Sequence, residues 1–207
     1  ANSSATAATL RNITVASGGS IEVTNFGGGI TSLGWKPGQR NIRWTRTITG
    51  IDNHTLTFDV PLTTALEKKY GGATVTAFQW PGRLRHCGIE NLQLVSGYDT
   101  LNPRDEDHRW MAITIDDAAD TWVQRVSFYH FAGSAVAVYE KAARITVQDC
   151  ISKQPVSELG GERRQTFFTA GQQVLFLRCY AEYGRHDFAT GFCAPGPTAF
   201  VQCTSYR

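Results

Sequence analysis

An all-β fold, a right-handed parallel β-helix preceded by a small β-rich region, is predicted by three observations. Val, Ile, Thr and Phe occur in many short runs separated by turn residues, with 20 glycines among 207 residues; branched and aromatic side chains suit a pleated surface, and glycine supplies the turns. Helix signals are scarce. From Cys87 onward the pair x, x+3 is apolar in five successive segments: Ile89/Leu92, Val123/Val126, Val147/Cys150, Phe176/Cys179 and Phe200/Cys203. They recur after 34, 24, 29 and 24 residues, which reads as a 24-residue coil with insertions of ten and five. Coils of that length without an intervening helix stack their strands into a solenoid.

Residues 1–84 form the expected N-terminal region. Residues 9–26 give two short strands around Gly18-Gly19, and residues 43–59 (RWTRTITGIDNHTLTFD) alternate in period two on both sides of Asp52-Asn53, the pattern of a hairpin. Residues 62–70, between Pro61 and Gly71-Gly72, are the one helix candidate, started by proline and stopped by glycine. A strand over 73–80 closes the region at Pro81-Gly82.

Residues 85–207 supply the coils. Each apolar pair has a second element before it, Met111–Asp116, Ala135–Glu140, Arg164–Thr169 and Phe188–Cys193, aligned without gaps. In this register Cys150, Cys179 and Cys203 form an inward ladder at ~4.8 Å per rung, as small buried hydrophobes do. Five cysteines with no C-x-x-C pair argue against a structural zinc site, and their odd number leaves at least one thiol unpaired in the chain.

Charged residues make only 18% of the chain and the net charge is +2, which sets aside disorder, coiled coils and a nucleic-acid partner. No apolar run reaches the length of a membrane span. Gly27-Gly28-Gly29 lacks the Lys-Ser/Thr and the helix of a phosphate-cradling loop. The chain opens at Ala1 without a visible targeting peptide. Sequons at Asn2, Asn12 and Asn53 point to a secreted, extracellular glycoprotein.

The segments WPGR, GIENLQLVS, NPRDEDHRWMAI, FAGSAVAV, GGERRQTFFTAGQQ, RCYAEYGRHDFATGFCAPGP and AFVQC, within residues 79–207, resemble secreted pectate-lyase-like β-helix proteins associated with microbial polysaccharide degradation. The hairpin RTITGIDNHTLTFDVPLT resembles the β segment before the helix in those proteins. The resemblance implies a carbohydrate-active protein, a lyase or a glycoside hydrolase, on an acidic, pectin-like polymer; the same superfamily holds non-catalytic glycan-binding and structural members. The Gly-His-Gly and Arg-x-Lys segments of its glycosidase branch are absent, and Asp116-Asp117 only superficially resembles that branch's paired aspartates. Such helices usually run for more coils, so a stop at Arg207 just after a core rung suggests a fragment or a short member.

Both insertions fall after the apolar pair, so loops 96–109 and 152–164 should emerge at one corner and flank the short turn 128–134 as a groove about 10 Å wide, two strand spacings. That groove would collect His130, His186, Asp187 and Glu158 as proton-transferring candidates, with His108, Arg109, Arg163, Arg164 and Arg185 as substrate-binding cations. Tyr129, Phe131, Tyr180, Tyr183 and Trp110 lie near enough to stack on sugar rings. Asp116 and Glu140 would stack on neighbouring coils, as two turn acids paired with Lys141 and Arg125 or as a carboxylate pair of the glycosidase kind. No cofactor is expected. Asp105 and Asp107 are weak calcium candidates in a loop that reads as solvated.

Overall fold

The computed structural model describes residues 7–9, 19–25, 34, 36 and 40–207. The chain divides into two compact units, Ala1–Pro81 and Gly82–Arg207. Asn2 and Asn12 lie outside the described residues, as do all of 10–18, so the first of the two strands expected around Gly18-Gly19 is described only at Thr9.

In the first unit, strands β1 (Ala7–Thr9), β2 (Ser20–Asn25), β3 (Ile42–Asp52), β4 (Thr55–Phe58) and β5 (Ala73–Ala77) form an antiparallel sheet in the order β1-β4-β3-β2-β5. The alternation read in 43–59 is the β3–β4 hairpin; Asn53 takes the left-handed conformation (φ 50°) in its turn and is exposed there. One face buries Ile21, Val23, Trp44, Ile48, Leu56, Phe58 and Leu62. Arg46 is buried among them, and its guanidinium donates to the carbonyls of Val60, Thr45 and Pro61 at 2.8–2.9 Å. Burial pulls its pKa down to about 10, against the partial restoring effect of Asp59. The helix expected over 62–70 is reduced to one 3-10 turn, Lys68–Tyr70, ended by Gly71 at φ 106°. Thr63 Oγ1 instead accepts from Trp44 Nε1 at 3.0 Å, so a tertiary contact on the sheet outweighs a short stretch of helix propensity.

The second unit is the parallel β-helix. Its long sheet holds β6 (Leu84–Arg85), β7 (Gly88–Val95), β9 (Ala118–Tyr129), β11 (Ala143–Gln148), β12 (Ile151–Lys153), β14 (Gln172–Leu177), β15 (Tyr180–Glu182), β17 (Thr198–Val201) and β18 (Thr204–Tyr206); its short sheet holds β8 (Met111–Ile115), β10 (Ser134–Val138), β13 (Gln165–Thr169) and β16 (His186–Thr190). The predicted long-sheet register is met residue for residue. Val123 pairs with Ile89 and Val147, and Phe176 with Val147 and Phe200. The segments Ile89–Val95, Val123–Tyr129, Val147–Lys153, Phe176–Glu182 and Phe200–Tyr206 therefore lie one above another. Each turns its corner at a left-handed third residue: Asn91, Arg125, Asp149, Arg178 and Gln202, with φ between 50° and 57°.

That conformation costs an L-residue about 1–2 kcal/mol, and side-chain bonds along the column help offset it. Arg125 donates to Asn91 at 2.7 Å and to Glu90 at 2.9 Å, while Arg178 forms a two-pronged pair with Asp149 at 2.7 and 2.8 Å. Inside, Val123, Val126, Phe128, Val147, Cys150, Phe176 and Cys179 belong to one buried cluster. The Cys150 and Cys179 thiols occupy successive rungs; the hydrogen bond between them, followed by burial, pushes the Cys179 thiol far above its usual range and keeps it protonated. Gly88 lies under the Trp122 ring, where any Cβ would overlap the indole.

The short-sheet register departs from the ungapped alignment. Met111 pairs with Ser134 instead of Ala135, Val136 with Phe167, and Phe167 with Phe188. The corner between the two sheets varies in length, since Ile113 to Val123 is ten residues and Phe188 to Phe200 is twelve. Asp116 consequently falls beside Tyr139 rather than Glu140, and the ion pair at that corner is Asp117–Lys141 at 3.4 Å. The stacked Asp116–Glu140 pair does not form.

Candidate functional site

The inserted loops do leave the helix at one corner. From Ile89 to Ile113 the chain takes 24 residues and from Val147 to Phe167 it takes 20, against 13 from Val123 to Val136 and 12 from Phe176 to Phe188. The expected open groove is roofed over, because the loops meet each other across the turn that follows β9. Arg163 grips Glu106 with two donors and packs over the Trp110 ring, its carbon 5.2 Å from the centroid. Arg104 pairs with Glu158 at 3.4 Å, and the Glu158 N–H donates to Glu106 at 3.3 Å. Ser157 Oγ donates to the carbonyl of Ala132, which is fully buried. Opposite charges on facing loops favour this closed arrangement; the Arg163 guanidinium holds the Glu106 carboxyl below the usual range.

The individual candidates sort by what they touch. His108 lies between the loops: Nδ1 is 2.8 Å from Ser96 Oγ, while Nε2 faces the carbonyls of Asp105 (3.1 Å) and Val156 (3.0 Å). Two carbonyl acceptors at Nε2 place a proton there, and Nδ1 shares a hydrogen bond with the Ser96 hydroxyl. Arg164 points back at Ser157 (Oγ at 3.2 Å, carbonyl at 2.5 Å) and burial lowers its pKa. Arg185 donates to the carbonyl of Gly161 and is otherwise exposed, as are His186 and Arg109. Asp187 is 6% exposed and accepts from Gly184 N at 2.9 Å, Thr166 at 3.3 Å and Ser205 at 2.5 Å, which ties three segments together. Asp105 closes its own loop by accepting from the backbone of Asp99 and Asp107, both at 2.9 Å, and those bonds hold its carboxyl low. Asp107 is exposed beside it. Among the described residues no group of three or more His, Cys, Asp or Glu could hold a metal ion.

His130 stands apart from the roofed loops. It takes a left-handed conformation (φ 68°) at the end of β9, its Nε2 is 3.2 Å from Gln154 Oε1, and its ring meets the edge of Tyr98 at 4.9 Å. Among the described residues it forms no polar side-chain contact with Arg109, Glu158 or Arg164. Its neighbours belong to a different feature, the last outward column of the long sheet. Val95, Tyr129, Lys153, Glu182 and Tyr206 occupy equivalent positions on successive coils, followed at the corner by His130, Gln154 and Tyr183, all left-handed. Tyr180 lies two residues before Glu182 on the same face and donates to Glu182 at 3.0 Å; Gln154 N–H donates to the other carboxylate oxygen at 3.2 Å. Lys153 Nζ sits 5.6 Å from the Tyr180 ring centroid. Tyr183 meets Tyr206 edge-on at 6.0 Å, and both are about half exposed. Trp110 and Phe131 do not join this strip. The Trp110 indole donates to Glu106 beneath Arg163, and Phe131 packs on the core through Phe128. Lys153, Gln154, Glu182 and Tyr206 were missed in the sequence, although extending the repeat six residues past each x position would have aligned Tyr129, Lys153, Glu182 and Tyr206.

Comparison with solved structures shows the same architecture in phage tailspike proteins. The tailspike protein gp49 from Pseudomonas phage LKA1 superposes with a TM-score of 0.60 at 13% identity, over 97% of this chain. The tailspike gp61 of Pseudomonas phage phi297 superposes with a TM-score of 0.56 at 12% identity, over 96%. This chain spans 32% of the length of each. No family model and no curated protein matches it. The fold is thus shared with tailspikes, and nothing in these comparisons assigns the chain to the pectate-lyase-like proteins.

Proposed function

We propose that the protein is a carbohydrate-active β-helix that recognises and cleaves an extracellular, acidic polysaccharide along the outward strip from Tyr129 to Tyr206. One observation carries this reading: ring and hydrogen-bonding side chains recur once per coil on an extended outward face, half-buried at Tyr129, Lys153, Tyr180 and Glu182 and exposed at Tyr183 and Tyr206. A period of ~4.8 Å, with aromatic rings beside amide, carboxylate and ammonium groups, suits a chain of linked sugar rings that are apolar on their faces and polar at their rims. Binding without turnover is the second reading. It is favoured by the engagement of Glu158 in an ion pair and of Asp187 in three internal hydrogen bonds, which leaves neither poised for chemistry.

A panel of plant and microbial polysaccharides, scored for retention and for degradation, tests the proposal. Tyr183→Ala combined with Tyr206→Ala is expected to weaken retention at least tenfold, since it removes both exposed rings on which a sugar face could pack, while the melting temperature stays within a few degrees. Retention of no polymer by the intact chain would sink the reading.

A further inference from the structure

We infer that β5 is a pairing edge for a second copy of this chain, and that two copies join their first-unit sheets through an antiparallel β5–β5 ladder centred on Val75. The surface lies in the first unit and owes nothing to the carbohydrate reading. Among the described residues β5 pairs with β2 alone, in an unbroken antiparallel register from Asn25↔Ala73 to Ile21↔Ala77. Its other edge is open. Exposed edge strands are ordinarily guarded by a lysine, a proline, a bulge or their own brevity. The strand at the opposite edge, β1, has only three residues. In contrast, β5 runs Ala73-Thr74-Val75-Thr76-Ala77 with no charge, no proline and no shift against β2, and all of it but Val75 is exposed.

Two features of this edge select the occupant. The strand reads the same in both directions, so a second copy running antiparallel sets Val75 against Val75, Thr74 against Thr76 and Ala73 against Ala77. That is the self-complementarity a two-fold contact requires. The second feature is phase. Phe78 N–H donates to the Ser20 carbonyl at 3.2 Å, and bonded pairs alternate along an antiparallel ladder. Thr74 and Thr76 therefore direct their N–H and C=O groups to β2, while Ala73, Val75 and Ala77 turn theirs to the open edge. The centre of the palindrome is thus a bonding residue. Val75 exchanges N–H and C=O with Val75 of the second copy, Ala73 does so with Ala77, and no outward group of the strand is left over.

A two-fold axis normal to the sheet keeps both apolar faces on one side. Val75 packs on the cluster that holds Ile21, Val23 and Trp44, and its mate continues that face. Thr74 and Thr76 meet on the exposed side, a cross-strand pairing that hydroxyls favour. No like charges oppose each other along the ladder. A contact made by one strand edge is small, so the association belongs to the weak, concentration-dependent class. An extended segment of a different protein would use the same hydrogen bonds, yet it would gain nothing from the palindrome.

The test is sedimentation equilibrium of the intact chain from low micromolar to near-millimolar concentration, where the mass is expected to rise toward twice that of one chain. Hydrogen exchange at the Ala73, Val75 and Ala77 amides should slow at least fivefold over the same range, while Thr74 and Thr76, already bonded to β2, change little. Thr74→Lys combined with Thr76→Lys sets like charges directly opposite each other and should weaken the dimer at least tenfold. Thr74→Glu combined with Thr76→Lys sets opposite charges there, with the introduced lysine also beside Glu22 of β2, and should dimerise more tightly than the unaltered chain at low salt, an advantage that added salt removes. Monomer mass at every concentration, a trimer, or a dimer equally tight in both double variants would overturn the pairing. Should the two lysines unfold the sheet, the Glu/Lys variant decides alone, and a dimer no tighter than that of the unaltered chain would overturn it. Polysaccharide retention is unaffected by each of these outcomes.

Discussion

Asp187 shows how a residue with the chemistry of a catalyst can be spent on structure. In the sequence it stands in an exposed-looking RHD triplet, yet its carboxylate accepts three internal hydrogen bonds, and a Cβ at Gly184 would collide with it. Asp187→Ala is expected to destabilise the β-helix by on the order of 2 kcal/mol, the cost of leaving buried donors unpaired, as measured by the shift of a denaturant midpoint. An unchanged midpoint would contradict this role. The same limit explains why the sequence located the corner where the inserted loops emerge but not the partners their side chains take. Insertion lengths report where loops emerge. Whether Arg163 turns to Glu106 or to solvent depends on partners more than fifty residues away.

The corner column joins single residues into an element. Arg178 beside Asp149, and Arg144 beside Asp120, hold both carboxyls below the ordinary range. A carboxyl whose folded pKa is depressed binds fewer protons in the folded state, so its contribution is complete above the unfolded value of about 3.9 and disappears as the pH falls through the lower folded value. Melting temperatures should accordingly fall steeply below about pH 4, and Arg178→Gln should flatten part of that fall. A slope identical to that of the unaltered chain would show that the pair is inert. These left-handed corners were not legible in the sequence, because the Arg and Gln at three of the five positions carry no turn signal, Asn91 and Asp149 alone do not mark a column, and the conformation is imposed by the stack. The apolar pairs on either side were legible, since inward positions tolerate little but hydrophobes and thiols. In the short sheet the same logic failed by one to three residues, because the intervening corner changes length from coil to coil.

At the scale of the whole β-helix, stability should follow position along the stack. Phe176 is fully buried between rungs and stacks on Phe200 at 5.0 Å, while Phe200 is 38% exposed. Phe176→Ala is expected to cost about 3–5 kcal/mol and Phe200→Ala less than half as much, compared by chemical denaturation; equal losses would mean that the rungs do not form a graded stack.

The left-handed column also separates two kinds of change open to this molecule. Seven residues containing one fixed bend recur in all five coils, whereas the loops between them differ by up to twelve residues in the spacing they span. Lengthening a loop therefore leaves the phase of the strip untouched, and the distance between its successive outward side chains is set by peptide geometry alone. The chemistry that such a surface presents can be rewritten by exchanging side chains on a ruler whose graduations do not move.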